Sequence, residues 1–340
     1  MKNLFIGIDF SKKKFDVSVV DKKNVEVSVH QIFENNTAGC KALIVWLKEQ
    51  TTRSVQEWLF CGEHTGIYSV TLSEFLARRH FSLWLENPLQ IKRSMGIKRE
   101  KNDKADSLAI ASYALRFADK AREFQLPEDT LVSLSMLLSF RDRLVRSKQV
   151  LLVAAAELRA VRQRNKDARY IYEQSQQEVE HLNKQIKEVE KKMNALLQSS
   201  DTLKENYELV TSIKGIALIN AVAILVHTNN FTAFNDARQF ACYAGVAPFG
   251  HQSGSSIHGT PHVSHLANKQ IKSLLSSAAR SAVRHDANLR QYYERKIAEG
   301  KKDFVVINNV RNKLIHRIFA VVRNKQPYQV NYYNLLDKTA

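Results

Sequence analysis

The sequence predicts a mixed α/β sheet with helices at the N-terminus, a central coiled coil and an all-α C-terminal domain. Three observations predict it. Short apolar runs with strand character come first and helical spacing is interleaved only later, the pattern of a mixed sheet flanked by helices. A heptad seam runs through residues 172–196. Beyond about residue 205 the apolar spacing is helical throughout.

Residues 4–9 (LFIGID) are a compact apolar run ending in an acid. Residues 16–20 and 25–33 alternate with period two, and Lys22 and Lys23 lie between them in a turn, which predicts a three-strand meander. Residues 38–50 return to helical spacing, with Leu43, Trp46 and Leu47 on one face. Residues 58–63 (WLFCGE) predict a buried strand ending in Glu63, residues 68–79 a helix, and residues 81–85 a further strand. From 105 to 200 almost nothing is strand-like. Within that stretch Tyr172, Ser175, Val179, Leu182, Ile186, Val189, Met193 and Leu196 alternate in steps of three and four, with Ser175 the one weak position. This predicts a coiled coil, either a hairpin within the chain or a contact between protomers. Residues 207–227 predict a helix, a turn at Lys214-Gly215 and an apolar helix. Further helices are predicted over 234–244, 266–285, 287–299 and 303–323, with a Gly-, Ser- and His-rich loop over 245–265 and a polar tail over 326–340.

The chain of 340 residues carries 51 Lys and Arg against 34 Asp and Glu, a formal charge of +17. Such an excess points to a polyanionic partner. Hydrophobic residues at 44% exclude a disordered basic tail. No apolar run reaches the roughly 18 residues of a spanning helix. The first apolar stretch meets Asp9 at once, which is unlike a signal peptide. Cys40, Cys61 and Cys242 stand singly and make neither a disulfide framework nor a paired zinc motif, so a reduced, cytoplasmic protein is expected. Residues 141–169 hold nine Lys or Arg against three acids, which suits either a solvated helix face or a phosphate-tracking one.

Four carboxylates form the first candidate for chemistry. Asp9 follows the first strand, and Glu63 ends a later strand that can lie beside it. Asp103 and Asp106 are spaced i, i+3 at a helix start, so both occupy one face while Leu108, Ile110 and Ala111 bury the other. Carboxylates that converge repel unless protonated or bound to cations, and hard oxygen ligands favour Mg²⁺ or Mn²⁺, which can clamp a phosphodiester. Taken singly, Asp103 and Asp106 would do no more than complement a helix dipole. The second candidate is residues 251–266, where Ser253, Ser255 and Ser256 surround Gly254. Glycine leaves a serine approachable, but such loops are common as linkers. His251, His258, His262 and His265 lack the cysteine pair or HExxH helix of a zinc site and are expected to face phosphate or solvent. The third is SIKGIALINAVAIL, residues 212–225, where a Gly turn between helices suits a phosphate contact or an ordinary helical hairpin equally.

GID near the N-terminus, GEHTGIY at 62–68, KNDKADSLAIA at 101–111, SIKGIALINAVAIL, and ARQFACYAGVAPFGHQSGSSIHG at 237–259 follow one another in a familiar order. The chain resembles the DEDD transposases of bacterial insertion sequences, the IS-one-ten family, related to the Piv/MooV DNA invertases. The resemblance implies a ribonuclease-H-like (RuvC-like) domain over 1–145, a basic helix and coiled coil over 146–203, a transposase domain over 204–325 and a tail over 326–340. It implies that Asp9, Glu63, Asp103 and Asp106 bind Mg²⁺, with Mn²⁺ an alternative, and that Ser253 attacks the DNA backbone to leave a reversible phosphoserine link. It further implies a homo-oligomer, dimer to tetramer, in which carboxylates and serine come from different protomers. A structured non-coding RNA would pair with donor and target DNA, leaving the basic surface to hold backbones. No membrane partner is implied. Two positions depart from the pattern: Lys214-Gly215-Ile216-Ala217 stands where the turn usually resembles P-G-I-G, and Gln252 precedes Ser253 where an acid is often seen. A Holliday-junction resolvase or nuclease would use the same acids with water as nucleophile, and an architectural nucleic-acid-binding protein would use the charge alone. Transposition and inversion share this chemistry.

Overall fold

The computed structural model describes residues 1–64, 66–94, 102–253, 257–264 and 266–329; for 26, 27, 251–253 and 257–262 it describes the backbone only. The chain divides into two compact units, Met1–Leu126 and Pro127–Ala340.

In the first unit, β1 (Leu4–Phe10), β2 (Lys14–Asp21) and β3 (Asn24–Glu34) form the expected meander. After α1 (Thr37–Gln50), β4 (Trp58–Glu63) returns beside β1, and after α2 (Val70–Ala77), β5 (Leu83–Glu86) joins β4. The order is β3-β2-β1-β4-β5, with β1–β2 and β2–β3 antiparallel and β1–β4 and β4–β5 parallel. This is the ribonuclease-H-like mixed sheet that the resemblance implies. Asn36 starts α1 by accepting a hydrogen bond from the Gly39 N–H at 2.8 Å, an ordinary Asn cap. Leu4, Ile6 and Ile8 join Phe15, Val17 and Val19 in a core closed by Leu43 and Leu47 of α1 and Leu72 and Leu76 of α2. The opposite face packs Phe5, Leu59, Cys61 and Trp84 against Ile110, Tyr113 and Ala114 of α4 (Asp103–Arg116), with Ile91 of α3 (Pro88–Ser94) beside them. The segment 68–79 begins with a 3₁₀ turn over Gly66–Tyr68 before α2.

The second unit opens with a helical hairpin, α5 (Asp129–Leu158) and α6 (Lys166–Gln198). Arg141 Nε pairs with Glu190 at 2.7 Å and Lys148 Nζ with the Asn183 side chain at 3.1 Å, so the helices run antiparallel. The seam residues Leu182, Ile186, Val189 and Met193 pack with Leu131, Leu134, Leu138 and Leu144 of the same chain. Of the two arrangements the heptads allowed, this is the hairpin within the chain. Arg143 and Arg146 remain exposed on its outer surface.

The hairpin is followed by α7 (Asp201–Thr211), α8 (Leu218–His227) and α9 (Ala237–Tyr243), then α10 (Lys269–His285), α11 (Ala287–Ala298) and α12 (Asp303–Asn324). Gly215, at φ +94°, lies where a side chain would run into Ala278 and Ala282 of α10, so this glycine serves close helix packing. Buried Asp286 caps α11 through the Leu289 N–H at 2.9 Å and accepts from Arg317 of α12 at 2.7 Å, locking the last three helices together. The start of the tail is held too: Tyr328 donates its N–H to Ser212 Oγ at 2.8 Å and lies under Arg317.

The expected all-α character of this region needs one correction. Residues 245–265 are not a plain loop: β6 (Pro248–Ser253) and β7 (Ile257–Val263) form an antiparallel hairpin. Its strands, PFGHQS and IHGTPHV, lack the period-two apolar alternation that announces a half-buried strand, and Pro261 belongs to an edge. The hairpin is defined by its backbone pairing, and backbone pairing leaves little trace in composition. No helix among the described residues is long and apolar enough to cross a membrane.

Candidate acidic site on the N-terminal sheet

The strand registers decide which side chains meet. Asp9 pairs with Asp16, Gly7 with Ser18, and across β4 Gly7 pairs with Cys61 and Ile8 with Gly62. Alternation therefore puts Asp9, Asp16 and, one residue beyond the paired stretch of β4, Glu63 on the face that α4 covers.

Gly7 brings the helix down onto this face. A side chain there would collide with the backbone of Ser107 and Ala111, so only glycine lets α4 lie directly on β1. Ser18 and Ser107 share a buried hydrogen bond of 2.8 Å at the same level. Ile110 and Ala114 then continue toward Phe5, so α4 runs back along the sheet. Its first turn, with Asp103 and Asp106, is left at the end of the sheet where Asp9 is next to last in β1 and Glu63 is last in β4. Asn102 fixes that turn by accepting from the Ala105 N–H at 2.7 Å.

Electrostatics records the convergence. The Asp9 carboxyl is pushed up to about 6, first by burial and then by repulsion from Asp103, Asp106, Glu63 and Asp16. Asp103 is held below the ordinary carboxylate range by the hydrogen bond from Lys14, and Lys14 is raised in return. The Lys14 ammonium lies 2.8 Å from Asp103 Oδ2 and 3.1 Å from Asp16 Oδ2, and His30 Nε2 lies 3.0 Å from Asp16 Oδ1.

The four sequence-predicted acids thus share one end of one sheet face. Among the described residues, however, no three of His, Cys, Asp or Glu stand close enough to hold one metal ion together. The donor set nevertheless fits a hard divalent cation. All its atoms are carboxylate oxygens, and Asp9 is in an environment that resists a further negative charge. Lys14 meanwhile supplies positive charge from within the protein.

Lys14, Asp16 and His30 were not apparent from the motifs. One signal was available: the short link of Ser11, Lys12 and Lys13 places Phe10 opposite Phe15, and counting back one residue on β1 and on one on β2 puts Asp16 opposite Asp9. Glu86 is in register with Glu63 and accepts from the Tyr113 hydroxyl at 3.2 Å, and nothing in the sequence marks the β5 register that puts it there.

The serine candidate belongs to the other unit. Ser253 is the last residue of β6, in register with Ile257. Its side chain, with residues 254–256 and 265, lies outside the described positions, as do Thr65 of GEHTGIY and Lys101 of KNDKADSLAIA.

Two family models match this chain. One, described as a transposase of the DEDD type, covers residues 6–160. The other, described as transposase IS116/IS110/IS902 family, covers residues 207–294. The pilin gene-inverting protein of Moraxella bovis is 26% identical over 96% of this chain and 98% of its own length. Its Moraxella lacunata counterpart is likewise 26% identical over the same shares. A 43.6 kDa protein of insertion element IS110 from Streptomyces coelicolor is 30% identical over 44% of this chain and 35% of its own. With both halves of the family's sequence pattern present in order, and the acids gathered at one end of a RuvC-like sheet, the chain belongs to the IS116/IS110/IS902 family of transposases, enzymes of DNA recombination.

Proposed function

We propose that this protein cuts and rejoins DNA through a covalent phosphoserine link formed by Ser253, with Asp9, Glu63, Asp103 and Asp106 holding Mg²⁺ or Mn²⁺. The observation that carries it is the gathering of these acids at one end of the sheet, where burial and the neighbouring carboxylates push Asp9 up to about 6 and positive charge is favoured. When bound, the ion supplies that charge to the scissile phosphate.

The chain's own groups do the rest. The Ser253 hydroxyl oxygen attacks phosphorus as its proton leaves to a base. The bond from phosphorus to one deoxyribose oxygen breaks, and that oxygen takes up a proton. The phosphodiester becomes a phosphoserine diester, so bond type is retained and a second deoxyribose hydroxyl reverses the step without ATP. The charge of +17 supplies cations for DNA backbones and for a structured guide RNA, whose base pairing would choose the sites. The likeness to pilin gene-inverting proteins over nearly the whole length makes inversion as natural an outcome as transposition.

The test is a denaturing gel for protein linked to an end-containing DNA, run with Mg²⁺ and with chelator. Wild type gives the adduct only with Mg²⁺, and Ser253→Ala gives none. DNA cut without adduct would replace this chemistry with a water-dependent nuclease or junction resolvase using the same acids.

A further inference from the structure

Lys14 is bonded to two acids of the crowded group, and the two differ in how firmly they are held. On one side is Asp16, 3% exposed and fixed through its second oxygen by His30, so it cannot follow a moving partner. On the other is Asp103, with a side chain 56% exposed on the first turn of α4. The Lys14 side chain itself is 40% exposed and reaches both acids by a flexible four-carbon stem. A compact ammonium with three donors placed among carboxylates meets the same electrostatic need as a metal ion.

We propose that Lys14 is a positioning residue that takes the cation's place in the unloaded protein. It latches the start of α4 to the rigid Asp16–His30 pair and gives way when a divalent ion enters. This rests on the assignment of the acids as the metal site. An ammonium and a divalent ion repel at this range, and Lys14 occupies an Asp103 oxygen that the ion needs. Wild-type affinity is therefore set by the difference between the ion's attraction to the acids and the displacement of the lysine. The lysine keeps the unloaded acids from driving one another apart and keeps α4 seated in the meantime.

The test is Mn²⁺ binding to the full-length protein, followed by electron paramagnetic resonance and by the Mn²⁺-induced rise in melting temperature. Wild type, Asp9→Asn, Lys14→Met, Lys14→Gln and Lys14→Arg are compared. Wild type binds Mn²⁺ saturably and Asp9→Asn loses that binding. Lys14→Met binds about tenfold tighter, the size expected for removing one unit charge near a divalent ion at the surface. It also melts lower without metal and gains more on adding it. Lys14→Arg, which keeps the charge, stays within about twofold of wild type. Lys14→Gln substitutes for the methionine variant if that one does not fold. Unchanged or weaker binding in the uncharged variants, with wild-type binding intact, overturns the role of Lys14 alone. Absence of any Mn²⁺ binding that depends on Asp9 overturns the acid site and this role with it.

Discussion

At the level of single residues, Asp9 converts its surroundings into a measurable pH dependence. Its carboxyl rises from an ordinary 3.8 to about 6 in the folded protein. The native state therefore keeps a proton between those values that the unfolded chain has released. Stability without metal falls as pH climbs across that window. Asp9→Asn removes the group, so its melting temperature declines less over the same range and at pH 7 equals or exceeds that of wild type. Metal-free melts from pH 4 to 7 check this, and parallel curves for the two proteins would refute it. Gly7 matters for a steric reason. Gly7→Ala drives a methyl into the backbone of Ser107 and Ala111, an overpacking that costs about 1–3 kcal/mol. Because it displaces the helix start that carries Asp103 and Asp106, it also lowers strand-transfer activity beyond the loss of folded protein. Activity per folded molecule, with the folded fraction read by circular dichroism, separates the two effects. The placement of Asp9, Glu63, Asp103 and Asp106 was legible in sequence because strand ends and a capped helix start leave local marks. Lys14, Asp16 and His30 meet through strand register, of which the short link between β1 and β2 is the one local mark.

Among the elements, α5 and α6 show what periodicity can and cannot say. The steps of three and four from Val179 to Met193 announced a seam, and Val179, Leu182, Ile186, Val189 and Met193 are all buried. The same pattern fits a partner helix from any source, and only the leucines of α5, spaced less regularly, show that the chain supplies its own. Met193 is fully buried at this seam, so Met193→Ala removes about 2–5 kcal/mol of stability. Arg141→Ala, which breaks a part-buried pair with Glu190, costs about 1 kcal/mol or less. Chemical denaturation of the two variants checks the ranking, and a larger loss at Arg141 would mean that the hairpin is held by charge and not by packing. The β6–β7 hairpin marks the opposite limit. Its register is explicit in the backbone, yet glycine, histidine and serine make up nearly half of its sequence, and an apolar pattern cannot report a strand pair whose apolar residues do not alternate.

Across the whole molecule, the proposed chemistry is divided by the chain's own organisation. The acids belong to Met1–Leu126 and Ser253 to Pro127–Ala340, so each half of the proposed reaction sits on a separately packed unit. Such a division permits one chain to supply acids and another to supply serine, the arrangement the family resemblance implies, and mixing inactive chains detects it. Asp9→Asn retains its serine, and Ser253→Ala retains its acids. If sites form between protomers of a dimer, equal mixing makes half the dimers mixed, and each mixed dimer holds one intact site of two. Adduct formation then recovers to about a quarter of wild type, although neither variant has activity alone. If sites form within one chain, every site in the mixture lacks one component and nothing recovers. Co-refolding or co-expression ensures exchange of chains, and the adduct gel reads the result. The salt dependence of DNA binding supplies the control. A protein of charge +17 that contacts several phosphates loses affinity steeply as salt rises, and the Ser253 hydroxyl, being uncharged, cannot alter that slope. Ser253→Ala must therefore bind DNA with the wild-type slope, so that recovery in the mixture reports the joining of two half-sites and not a repaired grip on DNA.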